Sequence, residues 1–137
     1  MAINNYSTEL HIVNINGRDI NDWGETDPPY TEDEIDPRSV LRRGQGGNAV
    51  RLDRINPGRS VTLNLQPGSP DSAYMMGLLN TRANITLGRK QVGTLEGAIA
   101  SEGVITSKGQ TGRGGQTITD DTYTIEFNLF SETTGGV

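Results

Sequence analysis

The groups in this chain that could do chemistry are a histidine, a run of carboxylates and two glycine-rich stretches, and each lacks the partners its chemistry requires. His11 is the only histidine. General acid–base catalysis needs a nucleophile or an orienting group beside it; no motif surrounds His11, so a structural or simply exposed histidine is expected. The clusters GQGGN (Gly44 to Asn48) and GQTGRGG (Gly109 to Gly115) invite comparison with phosphate-binding loops. Neither carries a lysine followed by Ser or Thr, and neither leads from a strand into a helix, so both read as flexible loops. Arg113-Gly114-Gly115 is likewise too short for an RNA-binding tract. Calcium could use the carboxylates Asp19, Asp22, Glu25, Asp27, Glu32, Asp33, Glu34 and Asp36, but their spacing lacks the alternation around a fixed glycine that an EF-hand loop needs. With no cysteine there is no thiolate nucleophile or metal ligand. The expectation is a protein with no catalytic residue, no cofactor and no metal.

What remains is charge arranged for contact. From Asp19 to Asp36 the chain holds the eight carboxylates named above and no basic residue; then Arg38, Arg42, Arg43, Arg51, Arg54 and Arg59 follow, with only Asp53 for balance. Opposite patches on one subunit either pair internally or meet those of a neighbour head to tail, which builds rings or helical stacks. Lys90 and Lys108 are the only lysines. Arginine is the better residue for bidentate pairing at partly desolvated contacts. These fourteen residues are the candidates for contacts between subunits and between rings.

The elements that must carry these residues are mostly strands, because apolar and polar residues alternate with period two. Val61, Leu63 and Leu65 make one such run, Ala83, Ile85 and Leu87 another, and Tyr123, Ile125, Phe127 and Leu129 the clearest. A strand from Thr8 to Ile15 has Leu10 and Ile12 on one parity and Val13 and Ile15 on the other, which implies two covered faces or a bulge. Val50 and Leu52 mark another strand, and the segment from Gly93 to Thr106 a bent or paired one around Gly103. One helix is expected over about 70–80: Ser69 is a suitable N-cap, Pro70 fits the first helical position, and Asp71 sits at the positive end of the dipole. Tyr74, Met75, Leu78 and Leu79 give that helix an apolar stripe. Two long loops are expected, at about 16–48 and 108–117. The fold class is thus mainly β: two packed antiparallel sheets, or a distorted barrel or sandwich, flanked by one helix.

Length is that of one domain, 1–137. Only 32% of the residues are apolar and mean hydropathy is −0.53, so partner subunits are expected to supply burial the chain does not supply itself. Met1 to Tyr6 lacks the pattern of a signal peptide, and no apolar run could cross a bilayer, so a soluble chain without membrane contact is expected. A net charge of −5 opposes binding to nucleic acid through a basic surface.

Order and spacing resemble the tail tube proteins of tailed phages, contractile-tailed ones in particular. The resemblance rests on Val13-Asn14-Ile15-Asn16-Gly17 ending a first strand and a long acidic hairpin loop after it. Val61-Thr62-Leu63-Asn64-Leu65-Gln66-Pro67-Gly68-Ser69-Pro70-Asp71-Ser72 then resembles a strand into a Ser-Pro-started helix, and Ile118 to Ile125 the closing strand. It implies six copies closing into a ring, with the long loop reaching the adjacent ring. It also implies a tape-measure protein and passing DNA in the lumen, with baseplate, terminator and, where the tail contracts, sheath proteins as partners. The site would be a virion tail assembled in the bacterial cytoplasm. A tail terminator, a baseplate hub or a type VI-like secretion tube are the related alternatives, and a β-sandwich binding module is the unrelated one.

Overall fold

The computed structural model describes residue 3 and residues 6–134; part of the stretch read for a leader and the last three residues of the expected domain span lie outside these. A short 3-10 turn, Thr8–Leu10, leads into β1 (His11–Ile15), β2 (Arg18–Ile20), β3 (Tyr30–Glu34), β4 (Ser39–Arg43), β5 (Ala49–Asp53) and β6 (Arg59–Leu65). The helix α1 (Pro70–Thr81) then precedes β7 (Ile85–Gln91), β8 (Gly97–Lys108) and β9 (Asp121–Thr133). All pairings are antiparallel. Seven strands form one sheet in the order β2-β1-β7-β8-β9-β6-β3, and β4 and β5 form a hairpin apart from it. The class is therefore mainly β, two antiparallel sheets with one helix and no closed barrel, but the core lies inside the curl of the large sheet.

The turn between β1 and β2 is Asn16-Gly17, both with positive φ (51° and 91°), so the backbone twist matches that of the strands it joins. In β1 the parity of Val13 and Ile15 wins: both are fully buried while Ile12 is exposed. Leu10 lies in the 3-10 turn, so the strand begins at His11, three residues later than the expected Thr8. The stretch 16–48, expected as a loop, holds β2, β3 and β4, because acidic residues in an edge strand can point to water from one face. Ala83 precedes β7, and the glycine-rich connection runs from 109 to 120 since β8 continues to Lys108.

The core gathers Val13 and Ile15, Val61, Leu63 and Leu65, Ile85 and Leu87, and Tyr123, Ile125 and Phe127 around Met75 of the helix. Phe127 closes it by lying against Gly103, where any Cβ would come 2.3 Å from the ring. Just past this contact both β8 and β9 change the parity they bury while keeping their mutual register: Glu102 takes a positive φ of 54°, and Leu129 turns outward although it continues the parity of Phe127. The expectation that Leu129 faces the core is thus overturned. The bend returns the far ends of both strands over the core with Phe130 inward.

Ser69 caps α1 as expected, its Oγ accepting from Ser72 N–H at 3.2 Å, and Pro70 opens it. Met75 is fully buried, and Tyr74, Leu78 and Leu79 rest against the core. Two locks hold the curl. At one end Trp23 bridges Leu65, with Gly24 N–H donating to Asn64 O and Gln66 N–H to Asp22 O. At the other, charged side chains join β3 to β7 across the open side.

Candidate assembly surfaces

The sequence-derived charges divide into those the subunit consumes and those it leaves over. Glu32 of the edge strand β3 is consumed. Arg89 Nε lies 2.8 Å from it and Arg59 Nη2 3.2 Å, and the same two guanidiniums reach Glu132, while Arg89 also meets Glu96 at 3.1 Å. Tyr30 O–H donates to Glu32. Arg89 and Glu32 are each only 8% exposed, where an ion pair needs this degree of satisfaction to offset desolvation. Burial weakens the charge of Arg89, yet Glu32 more than restores it and its pKa rises. Burial and Glu32 together push the Tyr30 hydroxyl up. Arg59 Nε is buried with no hydrogen-bond partner, and its guanidinium lies over the Phe130 ring at 4.8 Å.

His11 sits beside this network, its ring centroid 5.3 Å from that of Tyr30 and 6.3 Å from that of Trp23. Burial first, then Arg89, lowers its pKa. The three half-buried rings contact one another, so of the two expectations for the histidine, structural or exposed, the packing supports the first.

Two carboxylates that the charge pattern did not single out as contacts fix the segment between β2 and β3. Asp71 of the helix accepts from Asn21 N–H at 2.7 Å, Asp22 N–H at 3.0 Å and Arg18 Nε at 2.8 Å. Asp120 accepts from Thr26 N–H at 2.8 Å and Thr26 Oγ1 at 2.7 Å. Burial raises both carboxyls, but these donors outweigh it and hold each below the ordinary carboxylate range. A Cβ at Gly24 would fall 2.3 Å from the Asp120 carboxyl carbon, so a larger residue there must displace that carboxylate. No spacing rule announces these bonds, which join residues far apart in the chain.

The remaining candidates are spread over β2, the segment after it, β3 and the β4–β5 hairpin. Arg38 pairs with Glu34 at 2.9 Å, Arg51 with Asp53 at 2.8 Å and Arg54 with Asp36 at 3.7 Å, all exposed. Asp19 accepts from Asn14 Nδ2 at 2.9 Å, and Asp22 from Asp71 N–H at 3.4 Å. Among the described residues Glu25, Asp27, Asp33, Arg42 and Arg43 have no side-chain ion pair or hydrogen bond. The last two stand at the tip of the hairpin, next to the turn closed by Gly44 N–H donating to Asn48 O at 2.7 Å. Gly44 to Asn48 is thus the hairpin's own turn.

All ten residues of β4 and β5 are exposed. The register places Val40 opposite Leu52 and Arg42 opposite Val50 on one face, and Leu41 opposite Arg51 on the other. Leu41 is 63% exposed and Val50 57%. A two-stranded ribbon with no core against either face is marginal by itself, and this one carries four large apolar side chains into water. Exposed apolar area of this kind marks a contact surface. At its root, Arg38, Arg54 and Phe130 help line a cleft of about 390 Å³.

The fold is shared with parts of contractile injection systems. A chain of the sheath–tube complex of the PVC extracellular contractile injection system in its extended state superposes with a TM-score of 0.59 at 14% identity, covering 90% of this chain and 88% of that one. The tube-terminating cap of the anti-feeding prophage gives 0.58 at 13%, covering 98% and 95%. The PVC sheath/tube terminator in the extended state gives 0.58 at 14%, covering 98% and 100%. No family model matches the sequence, and no curated protein matches it.

Proposed function

We propose that the chain is the structural subunit of a phage-like tail tube: six copies close into a ring, rings stack into a hollow cylinder, and the chain performs no catalysis. The observation that carries this is the β4–β5 hairpin, a ribbon whose apolar side chains and tip cations find no partner within the subunit. A neighbouring copy supplies what is missing, so the hairpin reaches the adjacent ring. The open edges β2 and β3 of the large sheet support lateral closure, because an unpaired edge accepts another strand. The fold it shares with contractile-system parts supports the same role. A tape-measure protein and DNA then occupy the lumen, and baseplate, terminator and sheath proteins meet the ends and outside, in the tail of a virion assembled in bacterial cytoplasm.

A tail terminator is the second reading, favoured by the match of this chain, end to end, with a sheath/tube terminator and a tube-terminating cap. Electron microscopy of the purified protein, with its mass measured in solution across concentrations, separates the two. Long tubes are expected. Six-membered rings that never stack would select the terminator, and a strict monomer at high concentration and moderate salt would overturn both.

A further inference from the structure

The outward face of the large sheet is made of two unlike halves. Across β3, β6 and β9 the register aligns Thr31, Thr62 and Thr124 in one row. The next row holds Asp33, Ser60 and Glu126, with Val104 of β8 beside the last. Beyond them Thr122 Oγ1 donates to Asn64 Oδ1 at 2.8 Å. Apart from Val104 this half offers water hydroxyls, an amide and two carboxylates, and these positions carry no cation and no ring. The other half, over β1, β7 and the far end of β8 and β9, shows Ile12, Lys90, Ile99 and Leu129.

We infer that the threonine-rich face of β3, β6, β9 and β8 lines the bore of the tube, as a wall over which a polyanionic chain passes without adhering. This rests on the tube reading and goes beyond it by naming the surface. A nucleic acid is held by cations that neutralise phosphate and by rings on which bases stack. The positions named in these rows supply neither, Arg54 beside Glu126 is paired with Asp36, and Asp33 and Glu126 repel phosphate. This half also runs up to β3, one of the two free edges of the sheet, so it reaches the border at which a neighbouring copy joins. The half with Ile99, Leu129 and Lys90 suits contact with protein.

The chain has no cysteine, so Thr62→Cys and Thr124→Cys each create a single reporter with little change of shape. A small maleimide is expected to label both variants in free subunits and in tubes, while a bulky polymer-linked maleimide labels subunits and loses access on assembly. In a second arm, tubes of a Thr62→Arg, Thr124→Arg variant are expected to retain a single-stranded oligonucleotide in a salt-sensitive way, and wild-type tubes to release it. Tubes that the bulky reagent labels as fast as it labels subunits would overturn the inference and leave the tube reading standing; so would tubes closed to both reagents, which would put the face in a subunit contact. Failure to form tubes at any concentration would overturn the two together.

Discussion

The curled sheet and the β4–β5 hairpin are written in the same alphabet and end in opposite states. Both are rich in branched apolar residues, which alternate with polar ones in the sheet strands and in β5, and each sets arginine against carboxylate. In the sheet, Arg89 is 8% exposed and contacts three carboxylates; in the hairpin, Arg51 is 74% exposed and meets one. The buried pairs hold β3 to β7 and belong to the stability of the subunit. The exposed pairs are each worth at most about 1 kcal/mol, and the apolar residues around them stabilise nothing until another surface covers them. Alternation therefore says where a strand is, and burial decides whether it serves the fold or the assembly.

The comparison breaks first at Arg89. Arg89→Met leaves Glu32, Glu96 and Glu132 facing one another with Arg59 alone, and should destabilise the free subunit by about 3–5 kcal/mol. Arg51→Met should stay within about 0.5 kcal/mol. Urea denaturation of both variants checks this, and equal losses would erase the distinction between the two regions.

A smaller effect is expected at Asp71. Asp71→Ala strands Arg18 and the N–H groups of Asn21 and Asp22, at a cost of about 2–3 kcal/mol. In the wild type, Asp71 and Asp120 ionise more readily folded than unfolded. Their contribution is complete above the unfolded carboxylate pKa near about 4 and drains as pH falls through their lower folded values. Hydrogen exchange at Asn21, Asp22 and Thr26 should accelerate below that pH before the core opens; simultaneous loss of core protection would show that these carboxylates hold no separate segment.

The smallest effect on the subunit belongs to the hairpin tip. Reversing Arg42 and Arg43 to Glu should leave stability within about 0.5 kcal/mol and yet impair tube growth, because the symmetry of a ring repeats each local loss. Sedimentation of a folded double variant that polymerises like wild type would confine these arginines to the subunit.

Much of the body was legible because local rules determine it. Ser69 and Pro70 announce the helix through capping chemistry, and Tyr123, Ile125 and Phe127 announce β9 by alternation. Asn16-Gly17 carried a hairpin signal as strong as any, but the acidic residues after it gave too little apolar pattern for β2 and β3 to emerge. Leu129 failed for a different reason: β8 and β9 change their buried parity together beside Glu102, which is invisible when β9 is read alone. The charges stood out by their segregation, yet their division between pairs inside the subunit and side chains left over was not readable. Glu32 and Arg59 meet Arg89 and Glu132 only because the sheet curls, whereas Arg42 and Arg43 sit where no strand returns.

The hairpin also sets an order of events in time. Its strands meet across the short turn from Gly44 to Asn48, and closure of that kind takes on the order of microseconds. The large sheet joins His11 to Gln91 and Arg59 to Phe127, distant pairings that form on the order of milliseconds to seconds. A nascent chain thus samples its apolar ribbon long before it has a body to present it. During that interval the ribbon can meet another unfolded chain, so yield on refolding should fall as protein concentration rises, even for a sequence whose finished subunit is stable.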